Sequence, residues 1–179
     1  MSSQILHEDP IYKGKVFDLV RARFRLSNGS EHTYDLVKHH GAVTIVPVDP
    51  AGNIWFVRQY RIGADQDLLE LPAGVLEEGE PAETSALREL QEEIGMSARH
   101  LEKLGEFYMV PGYSTEKLHA YLATGLYESV LPADEGEYLE KIAIPVQEVF
   151  QMIGQGLMQD GKTLASLLLA KPHLDQYLL

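Results

Sequence analysis

Between Gly74 and Met96 the chain sets Glu80, Glu89, Glu92 and Glu93 beside Arg88, with glycines at 74 and 95. Glu89 and Glu93 are four residues apart, so on a helix they share one face, with Glu92 on a neighbouring line. Carboxylates at that spacing repel one another. A hard divalent cation such as Mg²⁺, which takes oxygen ligands and keeps waters for a phosphate, relieves the repulsion. Arg88 precedes Glu92 by four and braces a carboxylate from the side. The chemistry this spells is a metal-binding phosphate site. On face geometry alone a solvated acidic helix is the simpler reading, because glutamate is a good helix former and charge runs are mostly exposed faces.

Those residues need a helix and a loop to hold them. Pro81 suits a first helical position and Gly95 a C-terminal stop, so the pattern predicts a helix over 81–94, with Leu87, Leu90 and Ile94 as its buried stripe. Upstream, residues 42–48 and 54–60 are β-rich runs around the turn cluster Asp49-Pro50-Ala51-Gly52-Asn53, which predicts a hairpin. The second run ends in Arg58-Gln59-Tyr60-Arg61. A short apolar run over 68–71 is broken by Pro72-Ala73-Gly74 just before the acidic segment. Strand, glycine-bearing loop and helix in that order let backbone carbonyls and helix carboxylates face one cation.

Nearer the start, Val20, Ala22, Phe24 and Leu26 alternate with Arg21, Arg23 and Arg25, a half-buried strand; Ser27-Asn28-Gly29-Ser30 turns it and 31–37 returns. Residues 1–10 read as loosely held, with order beginning near Ile11. The arginine face is either solvated or a source of positive charge for a phosphate or a partner subunit. After the acidic helix, runs over 104–110 and 117–123 flank the turn Pro111-Gly112-Tyr113-Ser114. Leu131 to Glu137 is an acidic loop, Pro145 opens a helix that Gly154 ends, and a third helical run over 163–170 stops before Pro172. Strands first, then strands alternating with helices, predict α/β architecture with a mixed sheet and helices on both faces.

Composition narrows the function classes. A chain of 179 residues with 45% apolar content is long enough for one sizeable core with an appended arm. A formal charge of -12 argues against nucleic acid or an anionic membrane as partner, and obliges a polyanionic substrate to approach through a metal and local arginines. The lack of cysteine excludes disulfides, thiolate catalysis and zinc-thiolate sites and fits a reducing cytoplasm. With a polar start and no apolar run of membrane-spanning length, the chain reads as soluble and cytoplasmic.

Gly74, five residues, Glu80, seven residues, Arg88-Glu89-Leu90, one residue, Glu92-Glu93, one residue, Gly95-Met96 resembles the Nudix box at every specified position. Two further stretches, Leu69-Glu70-Leu71-Pro72-Ala73-Gly74 and Met109-Val110-Pro111-Gly112-Tyr113-Ser114-Thr115-Glu116, resemble the branch of Nudix hydrolases that acts on nucleoside diphosphate sugars, ADP-ribose among them. Pro111 lies fifteen positions past Met96, about where ADP-ribose enzymes carry a marker proline.

This resemblance implies a Nudix α/β/α sandwich over 41–179 and an antiparallel β arm over 1–40 that serves dimerisation and the base pocket. It implies Glu89, Glu93 and the Ala73 carbonyl as metal ligands, Glu92 as a further ligand or a partner of bound water, and Arg88 as the residue that orients the carboxylates. In the acidic loop it implies Glu135 as general base, the choice between it and Glu137 staying open, and Glu137 as an extra metal ligand. Arg58 and Glu70 match positions that touch substrate, although a structural salt bridge explains either one; Val16 and Phe17 match a segment lining the base pocket, and Pro111 and Gly112 belong to the substrate signature. Mg²⁺, with Mn²⁺ as substitute, would be the cofactor, and AMP and ribose 5-phosphate the products from ADP-ribose. Two alternatives stay open: a broader hydrolase acting on ADP-glucose or GDP-mannose, and a Nudix-fold module that senses a nucleotide without cleaving it.

Overall fold

The computed structural model describes residues 2–132 and 138–177. Two compact units emerge, one of residues 1–41 with 108–117, the other of 42–107 with 118–179.

The first unit is built on a three-stranded antiparallel sheet in the order β1-β2-β3, from Gln4–Lys13, Asp18–Arg25 and Glu31–Lys38. β2 alternates as its sequence requires: Val20 and Ala22 are buried while Arg21 and Arg23 are exposed. The arginine face is partly neutralised across the ladder, since Arg21 pairs with Asp35 at 2.9 Å and Arg25 with Glu31 at 2.6 Å. β1 corrects the expectation of a loose start. It is held by its ladder to β2 rather than by burial, so no apolar alternation marks it, and its Pro10 is tolerated because β1 is an edge strand. Residues 108–117 join this unit through Val37 N–H to Tyr113 O (2.8 Å) and Thr115 N–H to Val37 O (2.9 Å).

The second unit holds two sheets. One is mixed, in the order β7-β4-β9-β8, from Ala73–Val75, Ala42–Pro47, Lys117–Glu128 and Met96–Tyr108; β4 runs parallel to β9 and antiparallel to β7. The other is antiparallel, in the order β10-β5-β6, from Glu140–Pro145, Asn53–Arg61 and Gln66–Glu70. The hairpin expected of 42–48 and 54–60 is therefore corrected. Asp49 N–H does close the turn on Asn53 O at 3.0 Å, but beyond a single bridge between Val48 and Ile54 the strands diverge into different sheets. β4 is buried on both faces, and in β5 the neighbours Phe56 and Val57 are both buried while Arg58 and Tyr60 are exposed, so neither run carries a clean alternation that would choose its partner.

Among the described residues three α-helices complete the unit: α1 (Ala82–Glu89), α2 (Val146–Gly154) and α3 (Gly161–Leu174). Val43, Ile45, Tyr121 and Ala123 pack with Ala86, Leu90 and Ile94 on the α1 side. Val46, Phe56 and Leu122 pack with Val149, Leu167, Ala170 and Leu174 on the side of α2 and α3. This is an α/β/α sandwich. α3 runs past Pro172, against the expected stop; in the last turn the missing N–H costs one helical bond while Leu174, 1% exposed, still anchors the core.

Candidate active site

The acidic segment folds as two kinds of turn. α1 starts one residue later than the pattern predicts, with Pro81 as its N-cap at ψ 139°, and the Pro81 carbonyl accepts from Thr84 and Ser85 N–H at 3.0 and 3.1 Å. From Leu90 to Ile94 the chain widens into a π-helical turn, closed by Gly95 N–H to Leu90 O with Gly95 left-handed at φ 74°. Such insertions cluster at functional sites because they rotate the side chains that follow them. Ala86, Leu90 and Ile94 form the buried stripe, with Leu87 only partly buried. Burying Leu90 and Ile94 contributes roughly 1.5–3 kcal/mol each, and Leu90→Ala would cost about 2–5 kcal/mol through the cavity it leaves.

Against this anchored stripe, the acidic side chains reach two adjacent residues of β7. Glu93 Oε2 accepts from Ala73 N–H at 3.0 Å. Glu89 lies directly over Gly74, so close that a Cβ built there would stand 1.9 Å from Glu89 Oε1. Both carboxylates are buried, 7% and 4% exposed. Gly74 is thus required by a close approach rather than by its own backbone conformation.

Arg88 gathers the remaining carboxylates. Its Nη1 donates to Glu89 Oε1 at 2.6 Å and to Glu92 Oε2 at 2.9 Å, while Nε and Nη2 donate to Glu80 at 3.2 and 3.1 Å and Nη2 also to Ser85 Oγ at 3.0 Å. The hydrogen bond to Glu80, then the nearby negative charge of Glu89, hold the guanidinium firmly protonated against the opposing effect of burial. Reciprocally, Arg88 holds the Glu80 carboxyl below its usual range.

Among the described residues no three His, Asp or Glu side chains converge as a ready metal cage. Glu80, Glu89 and Glu92 are drawn onto Arg88, and Glu93 onto Ala73 N–H. The donor chemistry nevertheless fits a hard divalent cation: Glu89 and Glu93 are two buried carboxylates on adjacent turns beside a strand position without a side chain. Glu135 and Glu137, the residues expected from the acidic loop, lie outside the described residues.

The other expected residues fall into separate settings. Arg58, on β5, pairs with Glu140 of the neighbouring β10 at 2.8 Å, and both are well exposed. Glu70, at the end of β6, is 1% exposed, and Arg61 grips it through Nε and Nη2 at 2.7 Å each, with Lys162 Nζ on Oε2. Burial pushes this carboxyl up, but the Arg61 hydrogen bonds and the Lys162 charge outweigh it and hold it below its usual range. In the first unit, Val16 and Phe17 are exposed in the β1–β2 connection, and Pro111 and Gly112 sit in the connection between β8 and β9. Sequence reading did not single out Lys162, Asp160 and Thr163, nor Arg61 within its run. Lys162 lies 92 residues from Glu70, so no periodicity links them.

Comparison with known proteins gives the family. The NUDIX domain model matches residues 38–167, and the chain belongs to the Nudix family of hydrolases. It is 35% identical over 165 residues to the ADP-ribose pyrophosphatase of Bacillus subtilis (strain 168), covering 91% of this chain and 89% of that one. It is also 35% identical over 157 residues to the methanol dehydrogenase activator of Bacillus methanolicus, covering 87% and 85% of the two chains. Its fold superposes on the crystal structure of an ADP compounds hydrolase with a TM-score of 0.85 at 25% identity, covering 100% and 98%.

Proposed function

We propose that this enzyme hydrolyses the diphosphate bond of nucleoside diphosphate sugars, with ADP-ribose as the preferred substrate and AMP and ribose 5-phosphate as products. The observation that carries the reading is the pair of buried carboxylates, Glu89 and Glu93, seated on Gly74 and Ala73 beside the Arg88 hub. The names of the similar proteins support the substrate class. Mg²⁺, with Mn²⁺ as substitute, would be held by Glu89, Glu93, the Ala73 carbonyl and Glu137, with Glu92 as a further ligand. When bound it neutralises the diphosphate oxygens that otherwise repel an attacking water.

The chain's own residues supply the rest. Arg88 fixes the carboxylates to a small tolerance by tying them to one rigid helix. Glu135 takes the proton from the attacking water. Arg58 serves the substrate side, Glu70 does so only through the Arg61 that it holds, Pro111 and Gly112 belong to the substrate signature, and Val16 and Phe17 line the base pocket. The enzyme works as a cytoplasmic homodimer joined through the arm, without nucleic-acid or membrane partners, in keeping with its formal charge of -12. A substrate panel of ADP-ribose, ADP-glucose, GDP-mannose and dGTP, each with Mg²⁺ and with chelator, tests the reading. Metal-dependent AMP release greatest from ADP-ribose is expected. Equal cleavage of several sugar nucleotides would replace the narrow specificity with the broad one, and no cleavage at all would leave a nucleotide-sensing module.

A further inference from the structure

Glu70, Arg61, Lys162, Asp160 and Thr163 form one hydrogen-bonded cluster at the end of β6 and the start of α3. Glu70 Oε2 is shared by Arg61 Nη2 at 2.7 Å and by Lys162 Nζ. Lys162 also reaches Asp160 Oδ2 at 3.0 Å. Asp160 caps α3 by accepting Thr163 N–H at 2.9 Å and the Thr163 hydroxyl at 2.6 Å, and Thr163 Oγ1 in turn accepts Leu71 N–H at 2.9 Å. The next two residues along are Pro72, whose carbonyl accepts Ile45 N–H at 2.9 Å, and Ala73, whose N–H holds Glu93. The first turn of α3 is thereby wired to the strand that seats the acidic carboxylates.

Arg61 is the group of this cluster that faces out. Its side chain is 42% exposed, whereas Glu70 is 1% and Lys162 15%. A guanidinium carries five N–H donors; Glu70 takes one from Nε and one from Nη2, which leaves the others on the open side. Glu70, which Arg61 grips, stands three residues before Ala73, whose N–H holds Glu93, so one short stretch of chain carries both this cation and the acidic site. A positive fork fixed in that place suits an oxygen of the substrate diphosphate.

We infer that Lys162 is a positioning residue: by holding the same Glu70 oxygen that Arg61 Nη2 uses, it fixes the Arg61 fork in the orientation that meets the diphosphate. The inference rests on the proposed hydrolysis of a nucleoside diphosphate sugar. Lysine suits the task because its ammonium donates to Glu70 and Asp160 at once, and α3 holds its stem. Loss of Lys162 leaves Glu70 with one cation, so the carboxylate and the guanidinium it carries gain a second arrangement.

The test is a double-mutant cycle on steady-state hydrolysis of ADP-ribose. Lys162→Met should raise KM about tenfold with kcat within about threefold of wild type, the scale of one charged hydrogen bond. Arg61→Met should raise KM further, and the double variant should match Arg61→Met alone, because the clamp acts only through the fork. Lys162→Arg should restore most of the wild-type KM. An unchanged KM in Lys162→Met, or effects that multiply in the double variant, would overturn the inference. Should Lys162→Met lose its melting transition, Lys162→Gln keeps a donor without the charge and should raise KM in the same direction; wild-type KM in it overturns the clamp equally. A second readout needs no turnover: the Arg61 Nε–H proton should exchange with water at least tenfold faster in Lys162→Met than in wild type, and equal rates refute the clamp even if ADP-ribose proves not to be the substrate. An inactive wild type would instead refute the proposed reaction.

Discussion

Gly74→Ala isolates the contact on which the site is built. Gly74 does not occupy the left-handed region, so alanine fits its backbone, and by unfolded-chain entropy alone the change would stabilise by about 0.4–1 kcal/mol. The new methyl, however, would stand 1.9 Å from Glu89 Oε1 and 2.0 Å from its Cδ, where ordinary contact begins at 3.4 Å. Strand β7 is fixed by its ladder to β4, so the carboxylate must retreat by about 1.5 Å, the difference between those two distances. Misplacement of a reacting assembly by about 1 Å costs on the order of 100-fold. In Gly74→Ala, kcat for ADP-ribose should therefore fall at least about 100-fold while Tm stays within about 4 °C of wild type, the shift that 1 kcal/mol gives a chain of this size. Glu89→Asp, one methylene shorter, should recover about tenfold of the loss in the Gly74→Ala background, since the carboxylate regains roughly one bond length. AMP release followed by chromatography and a thermal melt of each variant decide it. Activity within threefold of wild type would refute the argument, and so would a collapse of Tm, which would mean that the glycine serves the fold instead.

Other expectations follow from the same contacts. Glu89→Gln and Glu93→Gln should each lower turnover by orders of magnitude while circular dichroism and Tm persist, because the amide removes an anionic donor and eases repulsion in a crowded acidic site. Arg88→Met should destabilise by about 3 kcal/mol, the lower end for breaking a buried pair because Arg88 is 23% exposed, and should lower Tm by roughly 6–12 °C. The pH dependence has a definite sign. Glu80 titrates below its ordinary 4.5 in the fold, so its pairing stabilises above that pH and is lost as pH falls through the folded value. Between about pH 5 and 3 the Tm of wild type should drop more steeply than that of Arg88→Met. Asp160→Ala should cost about 1–2 kcal/mol, for the lost cap of α3, in chemical denaturation.

The box residues were legible in sequence because their spacing is local. A helix brings Glu89 near Glu93 and Arg88 near Glu92 whatever the rest of the chain does, and the structure adds the π-helical turn that the apolar spacing of Leu90 and Ile94 does not reveal. Gly74 was visible as a loop glycine, but the reason for it, a carboxylate resting on its Cα, appears only in three dimensions. The parity of β2 was readable because one of its faces is wet. Strand β4 is buried on both sides and β5 buries Phe56 and Val57 side by side, so alternation could not say that they part into separate sheets. β1 has the opposite problem: it is paired but scarcely buried, so it carries no apolar signature. The clamp joins the β5–β6 pair, with Arg61 and Glu70, to Asp160 and Lys162 at the start of α3, and a charge read along the chain gives no hint of its partner 92 residues away.

The central claim is that Glu89 and Glu93 form a catalytic acidic site for a nucleoside diphosphate sugar. The most direct measurement is product analysis of ADP-ribose with the purified protein, in Mg²⁺ and in excess chelator, alongside Glu93→Gln. AMP and ribose 5-phosphate should form in Mg²⁺ and not in chelator, with a loss of at least about 100-fold in the variant. Turnover that survives the chelator, or that Glu93→Gln leaves intact, would contradict it.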